Sequence, residues 1–342
     1  MGVRRIVISK AIAYVLLLAM VFVACESSNK AIDQSGLNNS KKTATVPSFH
    51  RDSAYHFIEK QVSFGARVPN TDPHKVCGRY LAGKLREYGA LVIEQEFVEQ
   101  AYDGSRLNLK NIIGSYNPKA KKRILLAAHW DTRPFADKDV EGRYEPIDGA
   151  NDGASGVGVL LEIARILNLN DKPRIGVDII FFDGEDYGEH EDVDSPPLKN
   201  GLVKIWWCLG SQYWANNPHV PRYSAYYGIL LDMVGGRNAT FYKEGGSMQF
   251  APKVVKNVWN TARSLGYSNY FVNTNSPGIM DDHIFINRDA KIPMIDIVEY
   301  NPASPSYYFG DFHHTRRDNM SIIDRQTLQA VGETVLYTIY NE

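Results

Sequence analysis

The chain has 342 residues, with 38 Lys and Arg against 39 Asp and Glu, a net charge of -1 and a pI near 6.8. No basic block interrupts that balance, which excludes the electrostatic footprint of a nucleic-acid-binding protein; no nucleic acid is expected as a partner. With 44% hydrophobic residues, the chain beyond its N-terminal segment, about three hundred residues, buries the core of one large domain. The 20 Tyr and 14 Phe suit a ring-lined pocket or surface. Beyond Cys25, Cys77 and Cys208 read either as one disulfide or as two buried thiols.

In chain order, Arg4, Arg5 and Lys10 precede an apolar run over residues 11–24 that ends in FVAC at Cys25. The run is shorter than the ~20 apolar residues of a membrane span and fits the core of a secretory signal. The residues before Cys25 resemble a bacterial lipobox, which implies cleavage before Cys25 and lipidation of its thiol. An ordinary signal peptide with an incidental cysteine and an uncleaved anchor are the other readings. The favoured division is a lipoprotein signal peptide over residues 1–24, a flexible Ser-, Asn- and Lys-rich tether over residues 25–47, and a folded domain over residues 48–342. It places the domain outside the cell membrane, facing the periplasm and held by lipid on Cys25.

Helices are predicted over residues 48–62 and 73–88; in the second, Val76, Tyr80, Leu81 and Leu85 share a face and Gly89 is a stop. Strands follow at 91–98 and 107–114, and a charged turn at 117–122 leads into RILLAAHWD. That apolar run, residues 123–128, reads as a buried strand ending at His129 and Asp131. Residues 149–155 form a glycine-rich turn carrying Asp152, followed by an apolar helix at 157–167. A second buried strand at 177–182 ends at Asp183, Glu185 and Asp186. Residues 187–204 are acidic and contain proline; EHEDVD lacks the glycine and distal glutamate of a calcium loop and reads as solvated. A helix at 207–217 and a strand at 227–233 carrying Asp232 come next. Beyond them lie a helix at 250–265 stopped by Gly266, a loop with Asp281, Asp282 and His283, a strand at 293–298 and a closing amphipathic helix at 322–340. Strands alternating with helices give an α/β single domain, with a mostly parallel, twisted, mixed central β-sheet flanked by helices on both faces.

Ligands in open α/β sheets bind outside the carboxyl ends of the strands. Asp152, Asp186 and His314 would give a zinc ion two carboxylates and an imidazole while leaving one position open. Any one alone reads as a cap or turn residue; three at separate strand-end loops read as a site. Glu185, beside a ligand but free of the metal, suits proton transfer. His129 and Asp131 have the spacing in which a carboxylate orients an imidazole. His129 is thus either a second-metal ligand or a hydrogen-bonded core histidine, and Asp232 has the same two readings. The Asp281–Asp282–His283 run is either a set of coupled acids or a turn with one capping aspartate.

The motifs HWD, GANDGASG, FFDGED, LLDMVG, MDDHIF and FHHTRRDN occur in the order seen in zinc-dependent exopeptidase-fold enzymes. Within them the chain resembles the glutaminyl cyclases, especially bacterial ones of animal type, from about Ser48 to the C-terminus. The resemblance implies Asp152, Asp186 and His314 as zinc ligands, Glu185 as general acid/base, and Asp232 and Asp281 as aspartates networked with it. It also implies a cis peptide bond after Asp152. His129 matches a histidine that binds metal in the peptidases and is unused in single-zinc cyclases. Asp186 stands where the family has glutamate, His313 where animal cyclases have tryptophan, and Met280 where they have glutamine. Trp206, Trp207 and Trp214 are candidates for a pocket tryptophan. The implied activity is cyclisation of N-terminal glutamine of peptides and proteins to pyroglutamate with loss of ammonia, on one Zn2+, by a monomer. The rival is an aminopeptidase with two Zn2+, Asp152 bridging, His129 and Asp232 on one metal, Asp186 and His314 on the other. A non-catalytic binding domain would lack a ligand or Glu185, and none is missing.

Overall fold

A computed structural model describes residues 46–193, 204–304 and 308–342. The expected signal peptide, Cys25, nearly all of the tether and part of the acidic 187–204 loop lie outside the described residues. The chain order is α1 (Arg51–Val62), α2 (Asp72–Glu87), β1 (Leu91–Gln100), β2 (Arg106–Tyr116), β3 (Arg123–His129), α3 (Ala154–Leu169), β4 (Gly176–Phe182), α4 (Leu209–Asn216), β5 (Tyr227–Asp232), β6 (Phe241–Lys243), α5 (Gly245–Phe250), α6 (Pro252–Ser264), β7 (Phe271–Asn275), α7 (Asp282–Arg288), β8 (Met294–Val298) and α8 (Arg325–Tyr340).

Six strands form one sheet in the order β1-β2-β4-β3-β5-β8. The four from β4 to β8 run parallel, while β1 and β2 are antiparallel additions at one edge. Every residue of β4, β5 and β8 is buried, because both faces are covered; such strands read as unbroken apolar runs rather than as alternation. The faces separate residue by residue. Leu126, Ala128, Ile179 and Phe181 pack with Ile58, Leu160 and Leu336 of α1, α3 and α8. Their neighbours Leu125, Ala127, Ile180 and Phe182 pack with Trp214 of α4 and Ile286 of α7. Truncating any of the leucines, isoleucines or aromatic residues among these to alanine costs about 2–5 kcal/mol.

Thirteen of the 16 residues of α3 are buried, so it is the central helix of its layer and lies close to the sheet. At Gly156 an added Cβ would collide with the carbonyl oxygen of Leu231.

Some expectations shift. Residues 281–283 are not a loop: the side chain of Asp281 accepts from the N–H of Asp282 and α7 starts there. The helix expected over 250–265 is α6, Pro252–Ser264, with Pro252 in its first turn, where its missing N–H costs nothing, and the unexpected short helix α5 precedes it up to Phe250. The last helix begins at Arg325, capped by Asp324. A second, two-stranded sheet pairs β6 with β7 in parallel. Cys77 and Cys208 are both buried and unpaired. No helix of the described residues is long and apolar enough to cross a membrane.

Candidate metal centre

The carboxyl ends of β3, β4 and β5 lie side by side and deliver His129, the Glu185–Asp186 loop and Asp232. Asp152 arrives from the loop entering α3, through a cis Asp152–Gly153 peptide bond, as the resemblance implied. Glycine is required next: a Cβ at Gly153 would lie 2.5 Å from both the Nε2 and the carbonyl oxygen of His129.

Buried side chains outside the candidate ligand set Asp152, Asp186 and His314 fix these loops. The carboxylate of Asp318 accepts the N–H groups of Asn151 and Asp152 at 2.7 and 3.0 Å. Arg67 donates to the carbonyls of Asp148, Gly149 and Trp130. Asp131 accepts from Glu185 N–H and Asp186 N–H, one per oxygen, at 3.1 Å each. Its contact with His129 Nδ1 is longer, 3.5 Å, so its main work is on the Glu185–Asp186 loop rather than on the imidazole. Arg133, paired with Asp137, donates to the carbonyls of Asp186 and Glu189.

The structure brings Asp152, Asp186 and His314 together. His314 Nε2 lies 3.3 Å from Asp186 Oδ1 and 3.9 Å from Asp152 Oδ2, while its Nδ1 faces Asp137 at 3.5 Å. Asp186 is 1% exposed, yet neither carboxylate oxygen has a hydrogen-bond partner. An unpartnered buried carboxylate is costly unless a cation meets it, and carboxylates with an imidazole suit zinc. On that test the residues fit a metal. His129 Nε2 contacts Asp152 Oδ1 at 2.9 Å and Asp232 Oδ1 at 3.2 Å, so His129 and Asp232 form a second donor group that shares Asp152. His313 stacks on His314, and Lys138 Nζ donates to its Nδ1 at 2.6 Å.

Asp152, Asp186, Asp232, His313 and His314 line a cleft of about 240 Å³ with Glu185, Asp281, Trp207 and Phe309. A larger groove of about 570 Å³, lined by Lys75, Arg79, Lys110 and Trp130, holds none of the candidate ligands. Of the three candidate tryptophans it is Trp207 that faces the site: its ring lies parallel to His314, 5.9 Å between centroids, and Arg133 covers it. Trp214 is core. Burial and the carboxylates of Asp281, Asp186 and Asp282 push the Glu185 carboxyl well up, against the pull of His129. Burial, Asp152 and Asp281 push Asp232 up to about 7, with His129 opposing. Asp281 and Glu185 have ligand atoms within 4.8 Å of one another and of Cys208. The acidic part of the EHEDVD run meets Arg143, 3.2 Å from Asp192.

Sequence reasoning missed Asp318, Arg67, Cys208 and the loop-holding role of Asp131, whose partners are distant in the chain.

An α/β sheet with carboxylates and imidazoles gathered at its parallel strand ends defines a metal-dependent exopeptidase-like protein. Residues 111–339 match Peptidase family M28, and the chain belongs to that family. It is similar to a Zn-dependent exopeptidase from Parabacteroides distasonis (TM-score 0.83, 52% identity, 87% of this chain and 100% of that one). It is equally similar to the glutaminyl cyclase of Tannerella forsythia (TM-score 0.82, 53% identity, 86% of this chain and 100% of that one). The glutaminyl-peptide cyclotransferase of Gloydius blomhoffii is 29% identical over 296 residues, 78% of this chain and 75% of that one.

Proposed function

We propose that the protein is a zinc-dependent glutaminyl-peptide cyclotransferase that converts N-terminal glutamine of peptides and proteins to pyroglutamate and releases ammonia. The observation that carries this reading is one small cleft holding Asp152, Asp186, His314 and Glu185, on a chain similar over its domain to a glutaminyl cyclase.

A zinc ion held by Asp152, Asp186 and His314 would supply Lewis-acid polarisation of the side-chain amide carbonyl. Glu185, its proton affinity raised by burial and neighbouring acids, takes the proton of the attacking α-amine and passes it to the departing nitrogen. The bond that forms joins the α-nitrogen to the side-chain amide carbon; the bond that breaks frees ammonia. Asp281, beside Glu185, supports its protonated state, and Asp232 lines the same cleft. Nucleophile and electrophile belong to one residue, so an effective molarity of ~10⁵ M or more is available without a water nucleophile. Trp207 and Phe309 wall the cleft and shield the reacting groups from solvent.

The second reading, a two-zinc aminopeptidase, draws on the His129–Asp152–Asp232 group. One experiment separates the two: turnover of a Gln-peptide with ammonia detection, and metal counting on the same sample. Ammonia and pyroglutamate with one zinc per chain support the cyclase. Free N-terminal residues with two zincs replace it by the aminopeptidase and make His129 and Asp232 ligands.

The expected export and lipid anchor on Cys25 belong to the same proposal. Envelope fractionation of a Cys25→Ser protein tests them, and membrane retention through covalent lipid in that variant overturns them. A monomer is proposed, to be checked by sedimentation.

A further inference from the structure

Cys208 is the residue before α4, the N-cap position, where Ser, Thr, Asp and Asn are favoured because their side chains bond the first turn. Its thiol makes no such bond, and its backbone is left-handed, φ 58°, a conformation that favours glycine and asparagine. Neither the cap nor the turn accounts for cysteine here. The thiol is fully buried and its S–H donates to Glu185 Oε1 at 3.1 Å. The N–H of Cys208 donates to the Glu185 carbonyl at 2.9 Å, and the next N–H, of Leu209, to the Gly184 carbonyl at 3.1 Å. The start of α4 therefore clamps the loop of Glu185 through the backbone and the Glu185 carboxylate through sulfur. Among the described residues no other donor reaches that carboxylate, while Asp281 crowds the same place.

We propose that Cys208 is a positioning residue for the reaction: its thiol holds one oxygen of Glu185 and leaves the other free for proton transfer. The inference rests on the cyclase reading. A thiol suits the task because it is a weak, neutral donor. A lysine or arginine there would pair with Glu185 and quench its basicity, and an alanine would leave the carboxylate free to turn away from the repulsion of Asp281.

The test compares Cys208→Ala and Cys208→Ser with the parent protein for zinc content, thermal midpoint, kcat and KM. General acid–base catalysis contributes ~10²–10⁴-fold, and losing its orientation forfeits about tenfold. The expected result is Cys208→Ala with parental zinc content and KM and kcat down about tenfold, and Cys208→Ser restored to within about threefold by its hydroxyl donor. A readout without turnover accompanies it: the S–H stretching band of Cys208, isolated by difference against Cys208→Ser, should shift on Glu185→Gln. Parental kcat in Cys208→Ala overturns the proposal, as does equal impairment of the two variants at parental stability, or an S–H band that Glu185→Gln leaves unmoved. A parent protein that releases no ammonia overturns the cyclase reading instead, and the band still decides whether thiol and carboxylate are bonded.

Discussion

Replacing Asp131 by asparagine keeps the side chain's shape while removing its charge and one of its two acceptors. Asp131 is fully buried, and its two oxygens take the N–H groups of Glu185 and Asp186 at 3.1 Å each. A hydrogen bond to a charged group contributes about 1.5–3 kcal/mol. In the variant one N–H keeps an oxygen partner, and the other faces an amide NH2 and goes unpaired. The loss is therefore about 2–3 kcal/mol, concentrated in the loop that carries the proposed acid/base and a proposed ligand. At roughly 2 °C per kcal/mol for a domain of this size, the thermal midpoint falls by about 4–6 °C. Zinc affinity falls by about 10–100-fold, as it does when an outer partner of a metal site is removed. Calorimetry and a competitive zinc chelator measure the two effects, and Asp131→Ala, which strands both N–H groups, should be at least as damaged. An Asp131→Asn protein with the parental midpoint and parental zinc affinity refutes the reasoning.

Glu185→Gln should retain zinc and lose about 10²–10⁴-fold in kcat; turnover near the parental value with metal bound removes the proton-transfer role. Gly156→Ala drives a Cβ into the Leu231 carbonyl and should cost about 1–3 kcal/mol in denaturant unfolding; an unchanged midpoint means α3 sits farther from the sheet than described. Burial holds the Glu299 carboxyl at about 7 against an ordinary 4.5, so between those values the folded state keeps a proton that the unfolded chain has lost. Stability then falls as pH rises through that window, by about 3 kcal/mol in all, and Glu299→Gln should match the parent near pH 4.5 and exceed it at pH 8. Thermal midpoints at both pH values decide this, and equal midpoints at pH 8 contradict it. Asp186→Asn should abolish zinc binding yet cost the metal-stripped protein little stability, because neither carboxylate oxygen makes a hydrogen bond there and only His314 and Arg133, at 3.3 and 3.9 Å, face it. A lower midpoint in chelator counts against that.

What was legible in the sequence was whatever an apolar run could announce. RILLAA and VDIIFF read as buried strands because β3 and β4 are covered on both faces; Glu185 and Asp186 stand out because they follow such a run, and Asp152 because a glycine-rich turn carries it just ahead of an apolar helix. Short elements with mixed chemistry were not legible. The seven-residue helix α7 opens on an aspartate and a histidine behind a second aspartate, a run that reads as a turn until Asp281 is seen capping it. β6 has three residues, too few for any period to show. Trp207 could not be separated from Trp206 and Trp214 because all three lie within eight residues of α4 and only packing decides which faces the cleft. Asp318 lies 166 residues from the loop it holds, and no local pattern connects the two.

The aspartates of this site do two opposed kinds of work, and their hydrogen bonds separate them. Asp131 and Asp318 spend both oxygens on backbone N–H groups, so each ties down its loop with or without metal. Asp186 spends neither on a hydrogen bond and faces only His314 and Arg133, so it adds little to the folded chain until a further cation arrives. The loops that carry the proposed ligands are thereby held in place by residues outside the proposed ligand set, and on that reading the metal's binding energy is not needed to order them. Substitutions in the first pair should lower stability and metal affinity together, while those at Asp186 lower affinity and spare stability. That divergence is what a preorganised site implies. A site shaped by its metal would instead lose both from either kind of residue.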